Sequence, residues 1–343
     1  MSVAAIETRR SILLTGWCVL AAIVLALVIA VGVSVGELAI PLQNVFYAIS
    51  NRTGLTAEPL NRIYESVIWD FRLSRALVAA CCGAGLAICG VVLQSLLKNA
   101  LAEPYVLGVS AGPPPRGVDR GAGPWRWRNF PLGRAFAGAF AAFAFVALLT
   151  NGARGGNERT ILAGVAASQL FNAITAYTIS TSASAQQARD VMFWLLGSFS
   201  GVRWPEFQLV IVVVLAGLAV CLWYARALDA FTFGDDAAAS LGIAVPRVRL
   251  ILFTTAALIT ATIVSMAGSI GFVGLVVPHV MRFFFGPLHR TLLIASALAG
   301  AILMVLADIA SRLLIARKVC PLGSNRPGWV PFFAVIIYRS RNK

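Results

Sequence analysis

The sequence predicts an all-α integral membrane protein that crosses the bilayer many times. Hydrophobic residues make up 59% of its 343 positions and charged residues only 12%, with a mean hydropathy of +0.83. A soluble domain carries far more charge. Residues 12–33, 76–97, 207–223 and 292–314 are long apolar runs almost free of charge, and about 20 such residues span a bilayer as a helix. The runs are continuous rather than alternating. That selects helices over the strands of a closed barrel, the other structure that satisfies every backbone group in lipid.

In chain order, residues 12–33 are too long for the apolar core of a signal peptide, and no small-residue cleavage site clearly follows. They read as a retained first span, with Arg9 and Arg10 held in the cytoplasm. The mixed-polarity loop 36–75 has room for short helices outside the membrane. Residues 76–97 return inward and are rich in small residues, among them Ala79, Gly83, Gly85, Ala87 and Gly90. Small side chains let helix backbones approach closely where no hydrophobic force drives association. Residues 135–149 repeat that composition. A polar loop at 151–160, with Arg154 and Arg159, precedes an apolar run at 161–179; a short amphipathic stretch at 190–202 and the run at 207–223 follow.

Residues 226–249 are the longest polar stretch of the second half. Gly234 and Gly242 bracket a helix-favouring run that opens with Asp235 and Asp236 and ends near Leu241. Acids in a first turn suit the positive end of a helix dipole, so a short helix outside the bilayer is expected there. Further spans are expected at 250–267, 270–285 and 292–314, with a C-terminal piece around 330–338. The basic tail 339–343 belongs in the cytoplasm.

Several chemistries are excluded. A phosphate-binding loop ends in Gly-Lys-Ser/Thr, and none of the three lysines, Lys98, Lys318 and Lys343, follows a glycine. The two histidines, His279 and His289, form no His-Glu-x-x-His pair, and His279 reads as a packing residue at a helix end. Cys18, Cys81, Cys82, Cys89 and Cys221 lie in apolar runs without metal or redox spacing and read as small buried residues. No catalytic residue, metal site or cofactor is predicted. The net charge of +14 fits positive cytoplasmic loops better than a nucleic-acid partner. A carrier driven by an ion gradient, the alternative class, usually places acids inside its spans. Asp308 is the one clear candidate, and it sits near a helix end where it is equally able to pair locally.

Ordered motifs resemble one known family. Phe71-Arg72-Leu73-Ser74-Arg75 is similar to an Arg-Leu-Pro-Arg motif that precedes a small-residue span. Gln94, then Asn99-Ala100-Leu101-Ala102-Glu103-Pro104, then Leu107-Gly108-Val109-Ser110 resembles Gln…Asn-Pro-Leu-Ala-x-Pro…Leu-Gly-Val-Ser, with Ala100 in place of a proline. Phe193-Trp194-Leu195-Leu196-Gly197-Ser198 matches another family stretch. The most specific match is Gly271-Phe272-Val273-Gly274-Leu275-Val276-Val277-Pro278-His279 with Arg282. The family is the FecCD-type transmembrane subunit of ABC importers for iron-siderophore complexes, haem and cobalamin, and the similarity covers nearly the whole chain. The resemblance implies about ten transmembrane helices in a single permease domain and a homodimer in the bacterial inner membrane with both termini cytoplasmic. It also implies two separate ATPase subunits and a periplasmic substrate-binding protein. A ferric chelate is the expected substrate, siderophore first, haem second and cobalamin third. By the same resemblance Arg72, Arg75 and Arg312 meet acidic residues of the binding protein, and the segment around Gly234, Asp235, Asp236, Leu241 and Gly242 is the helix that couples to the ATPase.

Two stretches depart from the pattern. Residues 113–134 stand where the third span is expected, yet hold five arginines, one aspartate and five prolines, which no membrane-spanning helix accommodates. Residues 318–330 stand at the start of the tenth span and leave too short an apolar tail. With suitable synonymous codons, reading one base later turns Arg116–Gly121 into Ala-Ala-Ser-Thr-Gly and Asn325–Trp329 into Thr-Ala-Leu-Val-Gly, both family-like. Two reading-frame slips are favoured over lineage-specific loops, because losing one span reverses every later loop. Residues 113–134 and 317–326 together supply half of the net charge.

Overall fold

The computed structural model describes residues 3–36, 40–52, 54, 60–104, scattered positions between 162 and 181, and 196–314. The anomalous stretches at 113–134 and 318–330 lie outside the described residues, as do the runs expected at 135–149 and 330–338. Among the described residues every regular element is a helix. Five are long and apolar enough to cross a membrane: Thr15–Ser34, Arg62–Leu96, Trp204–Trp223, Val245–Ala267 and His289–Leu313.

Helix α1 (Val3–Ser34) is followed by α2 (Leu42–Arg52), which buries Val45 and Ala48 on one face. Helix α3 (Arg62–Ser66) starts where the Asn61 side chain accepts a hydrogen bond from the Ile63 N–H at 2.9 Å, an ordinary N-cap. The chain then runs without a break through a π-helical stretch (Val67–Leu73) into α4 (Ser74–Leu96). π-Turns inside helices often mark functional positions, and this one carries Arg72.

Helix α4 is the centre of the molecule. In the most apolar stretch of Arg62–Leu96, 89% of residues are buried, against 17% for Thr15–Ser34 and 22% for Trp204–Trp223. The latter two are left exposed over most of their surface within the subunit, and they are apolar all round, as membrane-spanning helices are. The small residues of α4 are what allow its burial. A Cβ on Gly83 would run into the carbonyl of Gly300, and one on Gly90 into the carbonyl of Gly274. On another face Gly85 meets Ile263, Ile259 and Val214. Two neighbours, at Gly300 and Gly274, thus approach α4 to backbone distance, and two others lay side chains against it at Gly85, the packing expected of small residues in lipid.

Those neighbours follow in order. Helix α5 (Trp204–Trp223) begins with the Glu206 carboxylate accepting the Arg203 N–H at 2.9 Å. The short α6 (Ala225–Phe231) and α7 (Asp235–Ser240) lead into α8 (Val245–Ala267). Helix α9 (Val273–Phe285) has 13 residues, about 20 Å at 1.5 Å per residue, so the span expected at 270–285 is a helix about two-thirds of the length of a full crossing. Helix α10 (His289–Leu314) lies antiparallel to α4: Arg75 at the start of α4 meets Asp308, and Ser95 at its end meets His289.

Candidate functional site: the two polar ends of the central helix pair

The α4/α10 pair is apolar along its length and polar at both ends. At one end, three arginines gather around one acid. Arg75 donates from Nε and Nη2 to Oδ1 of Asp308 at 2.9 and 2.7 Å. Arg312, one turn further along α10, brings Nη2 to 3.1 Å from the other carboxylate oxygen. Asp308 is fully buried. A buried carboxylate persists only when paired, and two guanidiniums provide that pairing.

Two of the three arginines, Arg72 and Arg312, cap α1. Arg72 donates from Nη1 to the carbonyls of Val33 and Ser34 at 3.0 and 2.9 Å, and Arg312 donates from Nη1 to Val35 O at 2.7 Å. The last carbonyls of a helix have no partner within it, and cations suit the negative end of its dipole. Gly36 is small for the same reason: a Cβ there would meet the Arg72 guanidinium at 2.7 Å. The three residues expected to dock a binding protein are thus brought together, and each is largely turned inward. Arg72 is 9% exposed, and the side chains of Arg75 and Arg312 are 16% and 15% exposed.

At the other end, the final turn of α4 meets α6, α7, α8, α9 and the first turn of α10. Gln94 resolves a defect in α9. Pro278 has no N–H, so the Gly274 carbonyl one turn earlier loses its helical donor. The Gln94 amide donates to Gly274 O at 3.2 Å and to Leu275 O at 3.1 Å, and its own oxygen accepts from Arg282 at 3.4 Å. The Gly-x-x-x-Pro spacing of α9 and the lone glutamine of α4 are therefore one feature. His279 sits half-buried on α9.

His289, not His279, is the histidine at a junction. Its backbone N–H and its Nδ1 both bond to Oδ1 of Asp229, at 2.9 and 2.7 Å, and its Nε2 contacts the Ser95 hydroxyl. Asp229 on α6 thereby caps α10 and reaches α4 through the imidazole. One turn further, Asp235 opens α7. Its carboxylate lies 3.0 Å from Arg249 of α8 and 3.6 Å from Lys98 beyond α4, and Arg249 also donates to Leu96 O at 3.4 Å. Gly234 and Gly242, on either side of α7, hold φ of +113° and +80°, a region that favours glycine. The bracketed short helix expected at this place is present. Phe233 and Leu241 flank it at 83% and 73% exposure, and Asp236 is exposed beside them.

The comparisons with known proteins agree with this architecture. Residues 23–339 match the FecCD transport family. The cobalamin import system permease BtuC of Halobacterium salinarum is 37% identical over 284 residues, covering 82% of this chain and 75% of that protein. The iron(3+)-hydroxamate import permease FhuB of Bacillus subtilis is 33% identical over 341 residues, covering 96% and 83%. A solved structure described as an inward-facing conformation of a metal-chelate type ABC transporter superposes with a TM-score of 0.77 at 25% identity, covering 95% of this chain and 99% of that one. The gradient-driven carrier gives way to this assignment, and Asp308, the acid it relied on, is held between two arginines. The chain belongs to the FecCD transport family and is a multi-pass permease subunit of an ABC importer, which works with a substrate-binding protein and leaves ATP hydrolysis to a separate subunit.

Proposed function

We propose that the permease imports a metal chelate across the bacterial inner membrane, a ferric siderophore ahead of haem. The supporting observation is the alignment with a hydroxamate permease over 96% of the chain. Cobalamin is the second reading, favoured by the 37% identity to a cobalamin permease; both substrates are metals wrapped in an organic chelator. Vesicles holding the permease, its ATPase and its binding protein should take up iron-55 as a ferric hydroxamate when given ATP. Uptake of cobalt-57 cobalamin instead would select the second reading.

The complex is a homodimer with two ATPase subunits, and both termini of the permease face the cytoplasm. Helix α7 with exposed Phe233 and Leu241 is the part that meets the ATPase, and Gly234, Asp235, Asp236 and Gly242 shape it. Arg72, Arg75 and Arg312 receive acidic residues of the binding protein, because three positive charges gather there and Asp308 pairs with two of them. Charges across an interface speed and orient association. Binding-protein association should therefore weaken several-fold between about 0.05 and 0.5 M salt as screening shortens. Association that ignores salt would remove the role.

The stretches at 113–134 and 318–330 are read as frame slips. Resequencing the coding DNA is the direct check: an unbroken frame would refute the slips. The chain as written should transport little, and restoring both frames should bring activity. Robust uptake by the literal chain would overturn this.

A further inference from the structure

The segment proposed to meet the ATPase has, besides its apolar packing, two separate polar ties to the membrane core. Asp229, before α7, holds the first turn of α10 through the His289 backbone N–H and reaches α4 through the imidazole and Ser95. Asp235, the first residue of α7, holds Arg249 of α8 at 3.0 Å, and Arg249 in turn bonds the Leu96 carbonyl of α4. Both lines end in the final turn of α4, within two residues of each other. Around them α6 packs Leu228 and Phe231 into the core and α7 buries Ala238, while Phe233, Asp236, Ser240 and Leu241 are exposed.

The geometry of the two lines differs in a useful way. The His289 ring is almost wholly buried and reaches both neighbours through its two nitrogens, so it keeps a fixed orientation. Asp235 is 39% exposed, and Arg249 spans from it to a backbone carbonyl. One tie is a rigid pin and the other a partly solvated strut. Two such connections on either side of the Gly234 turn prevent α7 from swivelling about that glycine without carrying α4 along. Helix α4 is also the helix that Gly83 and Gly90 bring to backbone distance from α10 and α9. Displacement of its last turn therefore reaches the packed centre of the subunit, which has few voids and transmits shifts rather than absorbing them.

We propose that Asp229 and Asp235 are positioning residues for coupled transport, fastening α6–α7 to the end of α4 so that movement of α7 moves the helix core. The proposal rests on the reading of α7 as the ATPase-facing helix. It assigns work to Asp229, His289, Ser95 and Arg249, side chains outside the exposed surface of α7.

The test uses the frame-restored permease assembled with its ATPase and binding protein in vesicles, supplied with both ferric hydroxamate and cobalamin labels. The readout is ATP hydrolysed per label moved, in complexes matched for ATPase content. Asp229→Asn and Asp235→Asn should each raise that ratio at least about three-fold while the ATPase still co-purifies. Arg249→Lys, which keeps a cationic donor between Asp235 and the Leu96 carbonyl, should stay nearer the parental ratio than Arg249→Met; His289→Gln, which keeps polar atoms in the pin, should be milder than His289→Ala. A purely structural role predicts less assembled complex with an unchanged ratio, and that result would overturn the proposal. Ala238→Pro, which breaks α7 itself, separates the two levels. If Ala238→Pro leaves coupling normal, the reading of α7 fails and the proposal with it. If it impairs coupling while both Asp variants keep the parental ratio, the proposal alone fails.

Discussion

The two ends of the α4/α10 pair solve the problem of buried polarity in opposite ways. At the arginine end, Arg75 and Arg312 share one carboxylate, and donors of Arg72 and Arg312 go to the open carbonyls at the end of α1. At the other end, each charged group pairs with an opposite or neutral partner on a different helix. The first arrangement holds an excess of positive charge in a small volume and depends on a single acid. The second spreads its connections over six helices and several separate pairs. The concentrated site ties the ends of α1, α4 and α10 together, and the distributed one joins the end of α4 to the segment around α7.

The comparison breaks most severely at Asp308. Replacing it by alanine leaves Arg75 and Arg312 facing each other with no carboxylate between them. Removing one partner of a buried pair costs about 3–5 kcal/mol, a large share of a membrane subunit's stability. Asp308→Ala should therefore fail to accumulate in the membrane or unfold at much lower temperature in detergent. Asp308→Asn, which keeps hydrogen-bond acceptance, should be milder. Equal stability of Asp308→Ala and the parent would mean that the carbonyls of α1 suffice to hold the arginines.

At the distributed end a single loss should cost less and be repairable. Gln94→Leu leaves the Gly274 carbonyl buried without its donor, a cost of about 1–3 kcal/mol. Pro278→Ala returns an N–H one turn later in α9 and should suppress the Gln94→Leu defect, although Pro278→Ala alone changes little. Thermal unfolding of the two single variants and the double variant measures this directly. Purely additive effects would dissolve the link between Gln94 and Pro278.

How much of this was readable in the sequence follows the range of each interaction. The small residues of α4 announced close packing, and Gly83 and Gly90 sit at the crossings. Gly234 and Gly242 announced the ends of α7 because a positive φ favours glycine locally. The partnership of Gln94 with Pro278 was present only as two separate motifs, since nothing in either one names a partner some 180 residues away. The missing N–H of Pro278 was the available signal, and it asks for an external donor somewhere. His289 gave no local signal: it sits at a helix start beside proline and glycine, and its role depends on Asp229 arriving from 60 residues earlier. The shortness of α9 was hidden because residues 270–285 are apolar but for His279 and Arg282, and apolarity alone does not tell where helical dihedrals begin. The arginines were found through a motif, yet their inward orientation depends on where α1 ends in space.

The smallest expected effect concerns Lys98, and it sharpens the difference between a charge that holds and one that merely lies nearby. Lys98 approaches Asp235 at 3.6 Å, but both side chains are about 40% exposed. Exposed pairs of this kind contribute about 0–1 kcal/mol after solvent screening and side-chain entropy. Arg249 reaches the same carboxylate at 3.0 Å and is 27% exposed. It also bonds a backbone carbonyl of α4, so its loss removes a link between helices as well as a charge. Lys98→Met should therefore shift the unfolding temperature by no more than a degree or two, and the residual shift should vanish in high salt. Arg249→Met should shift it further, with a remainder that salt does not remove. If the two variants were indistinguishable at both salt concentrations, Arg249 would be no more than a second surface charge, and the strut from α7 to α4 would have lost its physical basis.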